Sequence, residues 1–199
     1  MRLRTPAAVA FFASFALVGC QSEEPGNASP AAPSPPPQVV AEAARVGAAG
    51  SGCELPVTFG LQASWRPQAV TLGKNDPLAS LARRGTLTLV CEIDAKPAGP
   101  IGFLRVYTGK AGDPRAALTG FIGTSAKDPV FSEQRVGDLP LLEVAYQAKS
   151  ELEDTLEPER AFAVQAGSQL VVVALDSLDG DEQAAMLPAF ELAKSSLTE

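Results

Sequence analysis

Between Gln21 and about Gly52 this chain has almost nothing with which to build a core. The stretch is dominated by Pro, Ala, Ser and Gly, runs through Pro35, Pro36 and Pro37 in succession, and holds few bulky apolar residues. Burial of so little apolar surface does not offset the entropy lost on ordering a chain. A folded body is therefore expected from Cys53 to Glu199, a length suited to one domain, with residues 20–52 as its tether. The Pro-rich half of the tether favours extended polyproline conformations and so acts as a spacer. Gln38 to Val46 carries the weaker pattern of a short helix.

What precedes the tether says where the body works. Arg2 and Arg4 form a short positive region, and Ala7 to Val18 is apolar. That run is shorter than the roughly 20 residues of a spanning helix, so residues 1–19 read as a signal peptide. It ends in Leu17-Val18-Gly19-Cys20, which resembles the lipobox of bacterial lipoproteins. The resemblance implies that the Cys20 thiol takes a diacylglyceryl group and that cleavage leaves this cysteine first. The mature chain would then be anchored to a membrane, on its extracytoplasmic face, through palmitate-like acyl chains. Each buried methylene contributes about 0.8 kcal/mol, and dual acylation anchors stably where one chain does not.

Three cysteines occur in the chain. With Cys20 committed to lipid, Cys53 and Cys91 remain as one pair in an oxidising compartment, and a disulfide is expected. Closing a loop of about 39 residues restricts the unfolded chain by roughly 4 kcal/mol in the loop-entropy picture.

Charge and composition remove several function classes. The formal net charge is −7; loss of residues 1–19 takes away Arg2 and Arg4 and no acid, leaving −9. Such a chain repels polyanions and shows no basic cluster, so nucleic acid is not expected as a partner. There is no histidine, which removes the commonest general base and imidazole ligand. No metal or cofactor is expected. Gly109-Lys110 is followed by Ala111 where a phosphate-binding loop needs Ser or Thr, and Gly167-Ser168 lacks the nucleophile-elbow frame. Glu151, Glu153, Asp154, Glu157 and Glu159 form an acidic run without the spacing or turn glycine of a calcium loop. Asp176, Asp179, Asp181 and Glu182 read as acids at a helix start. Trp65 and Tyr107 are the large amphipathic aromatics best suited to anchor a partner or ligand, or else to pack in the core.

The hydrophobic pattern places the elements. Thr86 to Ile93 alternates, setting Leu87, Leu89, Cys91 and Ile93 on one face of a strand. Ile101 to Thr108 follows after Pro97-Ala98-Gly99-Pro100 and predicts an antiparallel partner. Leu141 to Ala148, Glu159 to Ala166 and Gln169 to Leu175 read as further strands, the last apolar on both faces and so central. Val57 to Leu61 and Pro67 to Leu72 read as edge elements. Asp76-Pro77 and Asp113-Pro114 each offer an N-cap followed by proline at a helix start. A last helix is predicted from Asp179-Gly180-Asp181-Glu182, with Met186, Phe190, Ala193 and Leu197 on one side and a kink at Pro188. Strands outnumber helices and connections are hairpin-like, which predicts an α+β sandwich rather than a doubly wound sheet.

Three segments carry a wider resemblance: Leu55-Pro56-Val57-Thr58-Phe59 leading to Trp65, Gly167 to Leu175, and Met186 to Leu197. Through them residues 53–199 resemble a family of actinobacterial envelope lipoproteins with a PsbP-like fold, the group that includes LpqN and LpqT. The resemblance implies an α/β/α sandwich around an antiparallel sheet, used as a binding or assembly module and bringing no catalytic residues. The pair Cys53 and Cys91 lies outside that family's general pattern. The expected function is thus a non-enzymatic module for an envelope protein or an apolar envelope molecule. The alternative is a histidine-free envelope hydrolase using carboxylates or a Ser–Lys pair.

Overall fold

The computed structural model describes residues 39–73, 76–150 and 154–199. The segment expected to be a signal peptide, Cys20, most of the expected tether, and Glu151 and Glu153 of the acidic run lie outside the described residues. Seven strands form the main sheet in the order β3 (Arg66–Ala69), β5 (Leu87–Asp94), β6 (Phe103–Lys110), β10 (Gln169–Asp176), β9 (Leu156–Ala166), β8 (Leu139–Lys149) and β7 (Lys127–Val136), and β4 (Arg83–Arg84) adds to β5. Every pairing is antiparallel. Helix α1 (Pro114–Ile122) packs on one face and α2 (Gly180–Ser195) on the other, so the protein is the expected α+β sandwich.

β10 is central because both of its faces are apolar. Val171, Val173 and Leu175 enter the core under α2, while Leu170, Val172 and Ala174 enter the core under α1. Around it the α2 core collects Leu104, Val106, Phe162 and Val164 from the sheet and Met186, Ala189, Phe190 and Ala193 from the helix. Burying a side chain the size of Phe190 contributes about 1.5–3 kcal/mol. The capping motif forms as expected: Asp179 Oδ1 accepts from the Glu182 N–H at 2.8 Å. The helix runs uninterrupted through Pro188. Asp113 likewise caps α1 through the Arg115 N–H.

Three expectations need correction. Leu87, Leu89, Cys91 and Ile93 do not share a face. Opposite β6, Leu89 pairs with Tyr107 but Cys91 with Val106, so the register shifts by one residue at Val90. A bulge of this kind inserts an unpaired residue and swaps the faces that follow. Leu87 and Leu89 accordingly join the α1 core, and Cys91 and Ile93 the α2 core. Asp76-Pro77 starts no helix. Asp76 Oδ1 accepts from the Leu78 N–H, but the segment passes through turns only, since Arg83 and Arg84 must pair with β5 and Gly85 turns with φ 59°. The tether ends earlier than Gly52 and without a helix: β1 (Ala44–Val46) pairs with β2 (Phe59–Leu61), and Val46 is fully buried.

Candidate functional site

The two faces of the sheet are covered unequally. α1 has nine residues, about 14 Å of helix, while β8 and β9 have eleven residues each, about 35 Å of strand. A helix that short cannot roof its face. Leu118 and Phe121 of α1 seal Leu87, Tyr107 and the small residues Ala161 and Ala163. Beyond them the same face turns polar and opens into a cleft of about 300 Å³, lined in part by Arg84, Tyr146, Glu159, Asp176 and Leu178.

Strand register positions these groups. Tyr146 of β8 lies directly opposite Glu159 of β9, so both side chains stand on one face. Arg105 of β6 is opposite Glu92 of β5 and bonds it at 2.8 Å, and it also pairs with Asp176 at the end of β10. Arg84 reaches in from the β4 edge across the ring of Phe121, 5.0 Å from its centroid. Glu159 has no such dedicated partner among the described residues; Arg84 and Arg105 act on it only through space.

Electrostatics follow from that arrangement. Burial pushes the Glu159 carboxyl up to about 7, with Arg84 and then Arg105 pulling the other way. Burial also pushes the Tyr146 phenol up to about 12, and the neighbouring Glu159 charge adds to the rise. Tyr107, in the α1 core, is raised by burial too. Near neutral pH the cleft therefore offers a carboxyl that holds or releases a proton according to what enters. A cation entering beside Glu159 would favour the carboxylate and be held by it.

The residues singled out from the sequence lie elsewhere or play other parts. Cys53 and Cys91 are bonded, with an S–S distance of 1.97 Å and Cα atoms 5.9 Å apart, in the α2 core. Trp65 is in that core as well, 4% exposed, and Tyr107 is in the α1 core, 4% exposed, its ring edge-on to Phe121 at 5.0 Å. The sheet separates the two rings, and neither presents a face to solvent, so both are packing residues and not surface anchors. Within the acidic run, Glu157 accepts from the Gly180 N–H at 2.9 Å and so supports the start of α2, while Asp154 pairs with Lys149 at 2.7 Å. Glu182 accepts from the N–H groups of Ile101, Gly102 and Leu178, pinning the loops around the helix start. Among the described residues no group of three acidic or cysteine side chains stands close enough to hold a metal ion.

Sequence reasoning placed Glu159 in the acidic run and missed its position on a covered face. The signal was present: Glu159, Ala161 and Ala163 share one side of β9, and an acid in line with two small apolar residues is an acid aimed at a core.

The fold and cleft define a class, a three-layer α+β module with a polar opening on one face. A family model described as uncharacterised lipoprotein matches residues 22–197, and the chain belongs to that family. No curated protein matches it. Among solved structures it is similar to cyanobacterial PsbP (CyanoP) from Synechocystis sp. PCC 6803, at 13% identity and a TM-score of 0.49, over 80% of this chain and 93% of that one. Among the described residues no helix is long and apolar enough to cross a membrane.

Proposed function

We propose that this protein is a lipid-anchored, extracytoplasmic binding module that receives a basic side chain of a partner protein in the Glu159 cleft. The observation that carries the reading is a carboxyl turned inward without a dedicated partner, in an opening whose rim includes the exposed Leu178. Contacts around a charge that exclude water are what allow a charge pair to contribute to binding at an interface. An apolar envelope molecule fits this cleft less well, because it is lined mainly by charged and hydroxyl-bearing side chains; the larger opening of about 970 Å³ between the start of α1 and the β7–β8 hairpin is charged as well, through Asp113, Arg115, Glu133 and Arg135. The anchor is part of the proposal: Cys20 takes the lipid, and the narrower kinship with LpqN- and LpqT-like lipoproteins rests on segments that here form β2, β10 and α2.

A carboxyl titrating near 7 is also what a general acid needs, which is the observation favouring a hydrolase. Carboxylate catalysis requires a second free carboxylate. Asp176 is taken by Arg105, and Glu157 by Gly180 and Thr155. Lys149 is exposed and paired with Asp154, the opposite of the desolvated setting of a lysine base. Binding is the better reading.

The test uses full-length protein purified from solubilised membranes, as wild type and as Glu159→Gln, with co-purifying proteins identified by mass spectrometry. A partner with a basic segment should be retained by the wild type at pH 8 and largely lost at pH 6, where about nine in ten Glu159 carboxyls are protonated. It should be lost from the variant at both pH values. An identical set of proteins on both forms at both pH values would refute the reading. For the anchor, Cys20→Ala should leave the product unprocessed or released, and unchanged membrane retention of a processed chain would refute it.

A further inference from the structure

The two edges of the main sheet are finished differently. β3 is four residues long, contains Pro67, which has no N–H to offer, and gives way to β4 along the same side of β5. The other edge is β7, ten residues long and largely exposed. Its inner side pairs with β8 through a two-residue turn, Gly137-Asp138, with Gly137 at φ 57°. A glycine with positive φ at the first turn position gives a type II′ hairpin whose closing residues, Val136 and Leu139, exchange both backbone bonds. Alternation from that pair turns the N–H and C=O groups of Arg135, Glu133 and Phe131 outward. Among the described residues no strand pairs with them.

The start of β7 carries devices that discourage pairing: Pro129, Asp128 at φ 48°, and a register shift between Lys127 and Val130. From Val130 to Val136 the register against β8 is unbroken and no such device recurs. That free half carries opposite charges at alternate positions on one face, Glu133 and Arg135.

We propose that β7 pairs antiparallel with β7 of a second copy of this chain, about a twofold axis at Gln134. In that register Glu133 of each copy lies opposite Arg135 of the other, and Phe131 lies opposite Gly137. Neighbouring twofold registers are worse. An axis at Glu133 sets two carboxylates face to face, one at Arg135 sets two guanidinium groups face to face, and one at Ser132 brings Pro129 opposite Arg135, where an N–H is needed. The edge is therefore self-complementary in one register, and pairing joins the two sheets into one. This inference is independent of the Glu159 cleft.

The experiment uses the full-length chain in mild detergent with one added thiol. Gln134 sits on the axis as a non-hydrogen-bonded pair, where Cα atoms stand about 4.5 Å apart, within disulfide range. Gln134→Cys should give a covalent dimer under mild oxidation, and Ser132→Cys, which faces Val136, should not. Glu133→Arg and Arg135→Glu should each lower the dimer fraction about tenfold, and the combined exchange should restore it. All these positions are exposed, so an unchanged melting temperature verifies the fold of the variants at 132, 133 and 135, while Gln134→Cys, which gives up the bond to Glu143, is compared with Gln134→Ala. A monomer at every concentration, equal cross-linking at positions 132 and 134, or cross-linking from position 134 to a different protein alone would overturn the proposal.

Discussion

One face of the sheet is sealed and the other is left open. Under α2, Phe59, Phe162, Phe190 and Met186 are fully buried, Phe162 and Phe190 meet with ring centroids 5.3 Å apart, and the Cys53–Cys91 bond lies in the same core. The charges there are matched: Glu143, 3% exposed, accepts from Lys194 at 2.6 Å, Arg160 at 3.0 Å and Gln134 at 3.1 Å. Under α1 the side chains are smaller or carry hydroxyls, the helix is short, and Glu159 is left without a matched partner. The contrast teaches that a matched and an unmatched carboxylate sit on opposite sides of the same sheet. β9 borders both sides, with Phe162 and Val164 facing one way and Glu159 the other.

The contrast can be broken most easily by truncating an aromatic on each side. Phe190→Ala should cost toward the upper end of about 3–5 kcal/mol in urea unfolding, whereas Phe121→Ala, on the short helix beside the open cleft, should fall at the lower end of that range. Equal losses would mean that the faces are equally sealed. Next, Lys194→Ala removes one partner of a buried carboxylate and should cost about 3 kcal/mol, while Glu159→Ala, which leaves no buried charge behind, should not destabilise comparably. A small effect of Lys194→Ala would show the α2 face to be wetter than described.

The smallest effect is the pH-dependent one. The folded-state value for Glu159, about 7, lies above the ordinary 4.5, so as pH rises the unfolded chain loses this proton first. The folded state is then disfavoured progressively between about pH 4.5 and 7, and the penalty is constant above. Glu159→Gln removes the penalty. Because the residue is only half-buried the gain is discounted, to about 1–2 kcal/mol at pH 8, and it should vanish below pH 4.5. A gain that is the same at both pH values would trace to packing and not to the proton.

Much of the fold was legible in the sequence where one signal dominates. Gln169 to Leu175 reads as a two-faced strand because every interior position is apolar, and β10 is central for that reason. The starts of α1 and α2 were legible from Asp113 and Asp179, since capping is local chemistry, but the same signal at Asp76-Pro77 starts no helix because the chain there must turn into β4. Three things were hidden. β7 carries Pro129 and mostly polar residues, and it holds its place by pairing with β8, a non-local cause. The bulge falls at Val90, where three apolar residues in a row interrupt the alternation, but the swap of faces it causes belongs to the pair β5–β6 and not to β5 alone. The Glu159 cleft depends on how far α1 reaches across the sheet, and a helix's length can be read from a sequence while its coverage cannot.

The central claim is that Glu159 faces an open cleft as a desolvated carboxyl without a dedicated partner. Its side-chain carboxyl carbon can be followed by NMR through a pH titration of the full-length protein in detergent, assigned by comparison with Glu159→Gln. A midpoint near 7 is expected, moving down when a basic partner binds. A midpoint near 4.5, unaffected by any partner, would contradict the account.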